Sequence, residues 1–308
     1  MERPDTTTPV EQGPKWQRRL RQLAACALAL VSCGIPSSQE PFLSPDRAAD
    51  FDVVTMGDSI SAGSGVGQHE PGTEQGCQRS LNGSLADVLR TYGVTNIAEV
   101  GCRGAGVDDM YREQHHQPPQ IDAITEDTDA VILSLGVNFL DLKEVFAACK
   151  TDECTPDAAI VVDTFRQLHD EGYRAKLVQL YRDILDRMHP RGILYLTEYS
   201  TPIRPYCPVG VGKYTALFIE ALVDEVNTVM HETAAEVGGE RIVIVPAEQW
   251  SDVCATLGTG VQLGGSNVGH PTSYEAQARE IAKRLITQTA PHNHPSLGGS
   301  LVFKGGKR

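Results

Sequence analysis

The sequence predicts a three-layer α/β/α domain built on a parallel sheet, and three observations carry that prediction. Short apolar, β-branched runs alternate with stretches of helical periodicity along most of the chain. One of those runs, Ala130 to Leu135, is apolar without a break, as suits a parallel strand covered on both faces. Glycine and small polar residues close the runs, most clearly at Gly57-Asp58-Ser59.

The first strand is Phe51 to Met56, too short for a helix and rich in Val and Thr. It ends in Gly57-Asp58-Ser59, so a hydroxyl stands at the carboxyl edge of the sheet, where open α/β sheets place their sites. Residues 61–67 form a Gly-rich loop that lacks the spacing and the Lys of a phosphate-binding loop. Gly57 to Ser61 also departs from the G-x-S-x-G elbow, because Ser61 stands where the second Gly belongs. Leu81, Leu85, Val88 and Leu89 mark one face of a helix. The second strand, Asn96 to Val100, runs into Gly101-Cys102-Arg103-Gly104-Ala105.

Ala130 to Leu135 makes the third strand and ends in Gly136-Val137-Asn138. Residues 139–172 read as an insertion beside the sheet edge, with a short helix and Cys149 and Cys154. Leu177, Tyr181, Ile184, Leu185 and Met188 define a helix stopped by Pro190. Strand four is Ile193 to Thr197. Tyr214, Leu217, Phe218, Ala221, Leu222, Val226 and Val229 give a long helix, and Arg241 to Val245 the fifth strand. Thr272 and Glu275 have capping-box spacing, so the last helix starts there with Ala278, Ile281, Ala282 and Leu285 inward. His270 is then aimed from a loop just before a helix.

The 308 residues carry a net charge of −13, which argues against nucleic acid and against electrostatic docking on anionic lipid. Residues 1–32 read as a secretory signal, with Arg18-Arg19-Leu20-Arg21 before an apolar stretch too short to span a bilayer. Leu30-Val31-Ser32-Cys33-Gly34 looks like a bacterial lipobox, which makes Cys33 the acylated mature N-terminus. A plain signal peptide is the alternative. Removing residues 1–32 takes away five basic and three acidic groups and leaves −15. Residues 33–50 form a tether, 51–289 the folded domain, and 290–308 a disordered tail. Six of the eight cysteines lie in the domain, an even set without metal spacing, which suggests disulfides and export. His115-His116 and His292-x-His294 read as loop histidines, so no metal and no cofactor is expected.

Ser59, Gly104, Asn138 and His270 fall at element ends that one sheet edge could gather. Ester cleavage uses such parts: a nucleophile, a base and donors for an oxyanion. In this order the four blocks resemble those of the SGNH (GDSL-type) hydrolases, matching at Gly57-Asp58-Ser59, Gly104, Gly136-x-Asn138 and His270-Pro271. Cys77-Gln78-Arg79-Ser80 and Cys102-Arg103-Gly104-Ala105 are similar to blocks of the secreted actinobacterial lipase and phospholipase branch. The resemblance implies a flavodoxin-like five-stranded sheet. It also implies disulfides Cys77–Cys102, Cys149–Cys154 and Cys207–Cys254. Ser59 is then the nucleophile, His270 the base, and the Ser59 and Gly104 N–H groups with the Asn138 amide the oxyanion hole.

Two positions depart from the family pattern. Asn267 stands where an acid often precedes the histidine, so a carbonyl of Asn267 or Val268 is expected to orient His270. Asp252 is a second candidate for a third member, and Asp58 is expected to be structural. Phe139 replaces another common acid, which bears on substrate class. The expected activity is a lipase, esterase or phospholipase acting as an envelope-anchored monomer on a lipid or other ester. A carbohydrate O-deacetylase or acyltransferase of the same fold, or a non-catalytic envelope lipoprotein, is the alternative.

Overall fold

Residues 1–42 and 43–308 form separate units, and the described residues lie in the second. The computed structural model describes residues 48–247 and 271–288, except 65, 141–144, 146, 147, 150–153, 201–212 and the burial of the ends of the last helix. Cys33, Cys207, Asp252, Cys254, Asn267, Val268, His270, His292 and His294 lie outside the described residues.

Five strands make the sheet: β1 (Asp52–Gly57), β2 (Asn96–Glu99), β3 (Ala130–Ser134), β4 (Ile193–Thr197) and β5 (Ile242–Val245). Their order is β2-β1-β3-β4-β5 and every pairing is parallel. This is the flavodoxin-like order, in which the topological switch falls between β1 and β3. The fold class and the five strands expected from the sequence are present, with ends moved by one residue at β1, β2, β3 and β5.

Among the described residues six α-helices follow in chain order: α1 (Ser59–Ala62), α2 (Leu85–Thr91), α3 (Ala159–Leu168), α4 (Glu171–Arg187), α5 (Lys213–Val237) and α6 (Pro271–Gln288). Strand alternation divides the core between two helical layers. Val54, Met56, Val131, Leu133, Leu194 and Leu196 face Leu177, Tyr181 and Ile184 of α4 and Val229 of α5. Val53, Ala130, Ile132, Ile193, Tyr195 and Val245 face Leu85 and Leu89 of α2 and Ala278, Ile281, Ala282 and Leu285 of α6. The four inward residues expected in α6 are therefore all in the core.

Three expectations about the helices need correction. Leu81 is exposed and lies outside α2. The helix starts instead at Ser84, whose Oγ accepts from the Asp87 N–H while the Asp87 carboxylate accepts from the Ser84 N–H, a reciprocal cap. In α5, Tyr214, Leu217 and Ala221 point outward, and the buried stripe runs through Thr215, Phe218, Ile219, Leu222 and Val226. Finally, α6 begins at Pro271, so Thr272 lies inside the helix rather than at its cap.

Candidate active site

The turn that carries Ser59 is shaped by one glycine. Gly57 ends β1 at φ +126, and a Cβ there would collide with the Ser134 carbonyl at the end of β3. That close approach lets the Asp58 N–H donate to Ser134 O at 2.9 Å, so the chain leaving β1 is pinned to β3. Asp58 then caps α1, its Oδ1 accepting from the Ile60 N–H at 2.9 Å. Ser59 is the first residue of α1 and is half-buried, beside the switch point of the sheet.

A second segment is drawn to the same place. Cys102 N–H donates to Gly57 O at 3.0 Å, and a Cβ on Gly101 would meet Ser61 Oγ at 2.8 Å, so this loop packs directly on α1. The Cys77–Cys102 disulfide and the Arg103 N–H donating to Cys77 O at 3.0 Å tie it to the loop after α1. Arg79 of that loop is buried and ion-paired with Glu70 at 2.7 Å. The turn Cys102–Ala105 closes through the Ala105 N–H on Cys102 O, with Gly104 at φ +78 in its third position. Gly104 is exposed and nothing lies within 4 Å of where its Cβ would be. The glycine therefore serves the turn and leaves open space over its backbone.

The third segment follows β3. Asn138 Nδ2 donates to Ala105 O at 3.1 Å, which fixes the amide over the Gly104 turn. An amide nitrogen carries two hydrogens, so a second N–H remains for another acceptor. Phe139 stacks on Tyr173 of α4 with ring centroids 3.6 Å apart, and the Tyr173 hydroxyl donates to Gly136 O at 2.9 Å. Burial pushes the Tyr173 phenol up, so it stays a neutral donor. Ser59, Gly104 and Asn138 are thus gathered by bonds that chain their segments together.

His270 is not among the described residues, but the helix it precedes is placed. Gln277 of α6 donates through Nε2 to Glu198 O at 3.0 Å, just past the carboxyl end of β4. The N-terminal turns of α6 therefore lie on the side of the sheet where Ser59 stands. His115 and His116 occupy exposed left-handed positions in a turn that borders the Cys102–Ala105 segment, where Gln114 Nε2 donates to Arg103 O at 3.5 Å. Among the described residues no group of His, Cys, Asp and Glu could hold a metal ion.

Three supporting side chains escaped sequence reasoning. The Gln120 amide bonds both the N–H and the O of Gly57, at 2.7 and 3.0 Å, as a substitute sheet partner. Tyr199, two residues past β4, donates its hydroxyl to Asp58 Oδ2. Asn227 of α5 holds Tyr199 by both its N–H and its O, each at 2.9 Å. Asp58 is completely buried, and that burial raises its carboxyl to about 6 against the opposing bonds from Tyr199 and Ile60. The expectation of a structural hydrogen-bonding role for Asp58 agrees with these contacts. A polar Asn in an otherwise apolar stripe of α5 was the one local signal of this arrangement.

A serine-bearing turn thus stands at the switch point of a flavodoxin-like sheet, flanked by the loops that carry Gly104 and Asn138. The GDSL-like Lipase/Acylhydrolase family model matches residues 55–274, most of the chain, and the protein belongs to that family. It is a hydrolase of the GDSL type. A lipase of Streptomyces rimosus is 24% identical over 220 residues, 71% of this chain and 79% of the relative. Lipase 2 of Streptomyces coelicolor is 30% identical over 122 residues, 39% of this chain and 41% of that one. Among solved structures, phospholipase A1 from Streptomyces albidoflavus superposes with a TM-score of 0.60 at 19% identity, covering 77% of this chain and 99% of that one. The last likeness concerns the fold alone.

Proposed function

We propose that the protein is an exported carboxylic ester hydrolase for acyl esters, with Ser59 as nucleophile and His270 as general base and acid. The observation that carries this reading is the convergence of Gly57-Asp58-Ser59, the Gly104 turn and Asn138 at one sheet edge. Ser59 Oγ attacks the ester carbonyl while His270 takes its proton. The tetrahedral oxyanion is held by the N–H groups of Ser59 and Gly104 and by the second N–H of Asn138. Collapse expels the alcohol, which receives the proton from His270. Water then attacks the acyl-enzyme by the same base catalysis, and the acid leaves. A carbonyl of Asn267 or Val268 orients the imidazole.

An apolar acyl chain fits the surroundings. Ile60, Val137 and Phe139, neighbours of Ser59 and Asn138, are only partly buried and pack on the apolar cluster of Leu168, Tyr199, Phe218 and Leu222. The names lipase and phospholipase carried by the relatives point the same way. Export is supported by the disulfides Cys77–Cys102 and Cys149–Cys154, and by the likeness to an extracellular lipase of Streptomyces rimosus. Acylated Cys33 then holds the enzyme at the cell envelope.

A p-nitrophenyl ester series from acetate to palmitate tests the function. Turnover should rise from acetate to medium acyl chains and vanish in Ser59→Ala. Activity confined to acetate would point to a deacetylase instead.

A further inference from the structure

Asp58 has no solvent contact, and each of its oxygens has one donor. Oδ1 takes the Ile60 N–H of the helix that begins with Ser59, and Oδ2 takes the Tyr199 hydroxyl. Tyr199 in turn is clamped at both backbone groups by Asn227 of α5. A continuous set of bonds therefore runs from the long helix α5, through Tyr199 and Asp58, to the turn that carries Ser59. The other titratable group facing Asp58 among the described residues is the Tyr173 phenol of α4, and no cation there offsets its burial. A buried carboxylate is an unfavourable way to cap one short helix, since a neutral Asn caps almost as well.

We propose that Tyr199 is a positioning residue for the nucleophile, acting through an ionised Asp58, so that loss of the Asp58 charge slows turnover in addition to protonation of the catalytic base. This rests on the assignment of Ser59 as nucleophile. The physical reason lies in the donors. A carboxylate accepts from both Ile60 N–H and Tyr199 O–H, and such charge-assisted bonds are about twice as strong as neutral ones. A protonated Asp58 must itself donate, so the Tyr199 hydroxyl has to turn away and accept, and the brace on the nucleophile turn slackens. The raised carboxyl, at about 6, places this change within the range in which an imidazole also titrates.

The test is the pH dependence of kcat and KM between about pH 4.5 and 9, followed by pH-stat titration of a short-chain ester, for wild type, Tyr199→Phe and Asp58→Asn. In the wild type the acid limb should fall more steeply than one proton allows, because Asp58 and the base both contribute. Asp58→Asn keeps the cap and the shape but cannot ionise. It should show about tenfold lower kcat on the plateau, little change in KM, and a one-proton acid limb. Tyr199→Phe removes a donor to the carboxylate and should move the acid limb to higher pH. Should Tyr199→Phe fail to fold, the isosteric Asp58→Asn decides alone. The proposal is overturned if Asp58→Asn keeps the wild-type plateau and slope, or if Tyr199→Phe lowers turnover by one factor at every pH. Wild-type turnover that vanishes in Ser59→Ala separates a failure of this proposal from a failure of the nucleophile assignment.

Discussion

At the scale of single residues, the site is a problem of holding donors still. Asn138 is fixed by its bond to Ala105 O, so the proposed oxyanion donor needs no reorganisation during the reaction. Asn138→Ala should lower kcat by roughly 10²–10³ with little effect on the thermal midpoint. A loss of less than about fivefold, measured on a soluble ester, would remove Asn138 from the oxyanion hole. Asp58 makes an opposite prediction for stability. Its carboxyl rises from 3.8 to about 6 on folding, so the native state binds its proton more tightly than the unfolded chain does. The Asp58 contribution to stability is then fully present below about pH 4 and is lost as pH rises through 6. Relative to wild type, Asp58→Asn should gain stability between pH 4 and pH 7, by at most about 3 kcal/mol. Equal pH dependence in urea unfolding of the two proteins would show that Asp58 does not titrate in this way.

At the scale of elements, the strands were legible because parallel strands covered on both faces leave unbroken apolar runs in the sequence. The faces of helices were less so. In α5 the apolar residues Tyr214, Leu217 and Ala221 extend the stripe past the part that packs, and only tertiary contacts say where burial stops. The reciprocal cap of Ser84 and Asp87 was present in the sequence, but Leu81 continued the helical period and hid it. For the site, glycines and motif residues mark where the backbone must turn, so Gly57, Gly104 and Asn138 could be read. Gln120 and Tyr199 could not, because their bonds reach back 63 and 141 residues and leave no local pattern. The loops that carry Cys102 and Cys149 are tied by disulfides spanning 25 and 5 residues, worth about 3.5 and 2 kcal/mol in the loop-entropy model. Replacing Cys77 and Cys102 together by Ala should therefore lower the unfolding free energy more than replacing Cys149 and Cys154. The reverse order in denaturant unfolding would contradict the account.

At the scale of the whole molecule, the proposed envelope anchor and the catalytic domain are separate devices. The net charge of −13, which becomes −15 in the proposed form beginning at Cys33, disfavours electrostatic docking on anionic lipid, and no described helix is long and apolar enough to cross a membrane. The proposed anchor is the acylated Cys33, since two or more acyl chains suffice for stable anchoring. Cys33→Ala should move the protein from the membrane fraction to the soluble one with unchanged turnover of a soluble ester. A wild-type protein found soluble with another mature N-terminus would mean simple secretion. The central claim, that Ser59 is an activated nucleophile, is tested most directly by peptide mapping after treatment of the folded enzyme with a fluorophosphonate. The account predicts a single stoichiometric adduct on the peptide containing Ser59, absent in Ser59→Ala and formed far more slowly in His270→Ala. An unlabelled Ser59, or an adduct on a different serine in an enzyme that still hydrolyses esters, would contradict it.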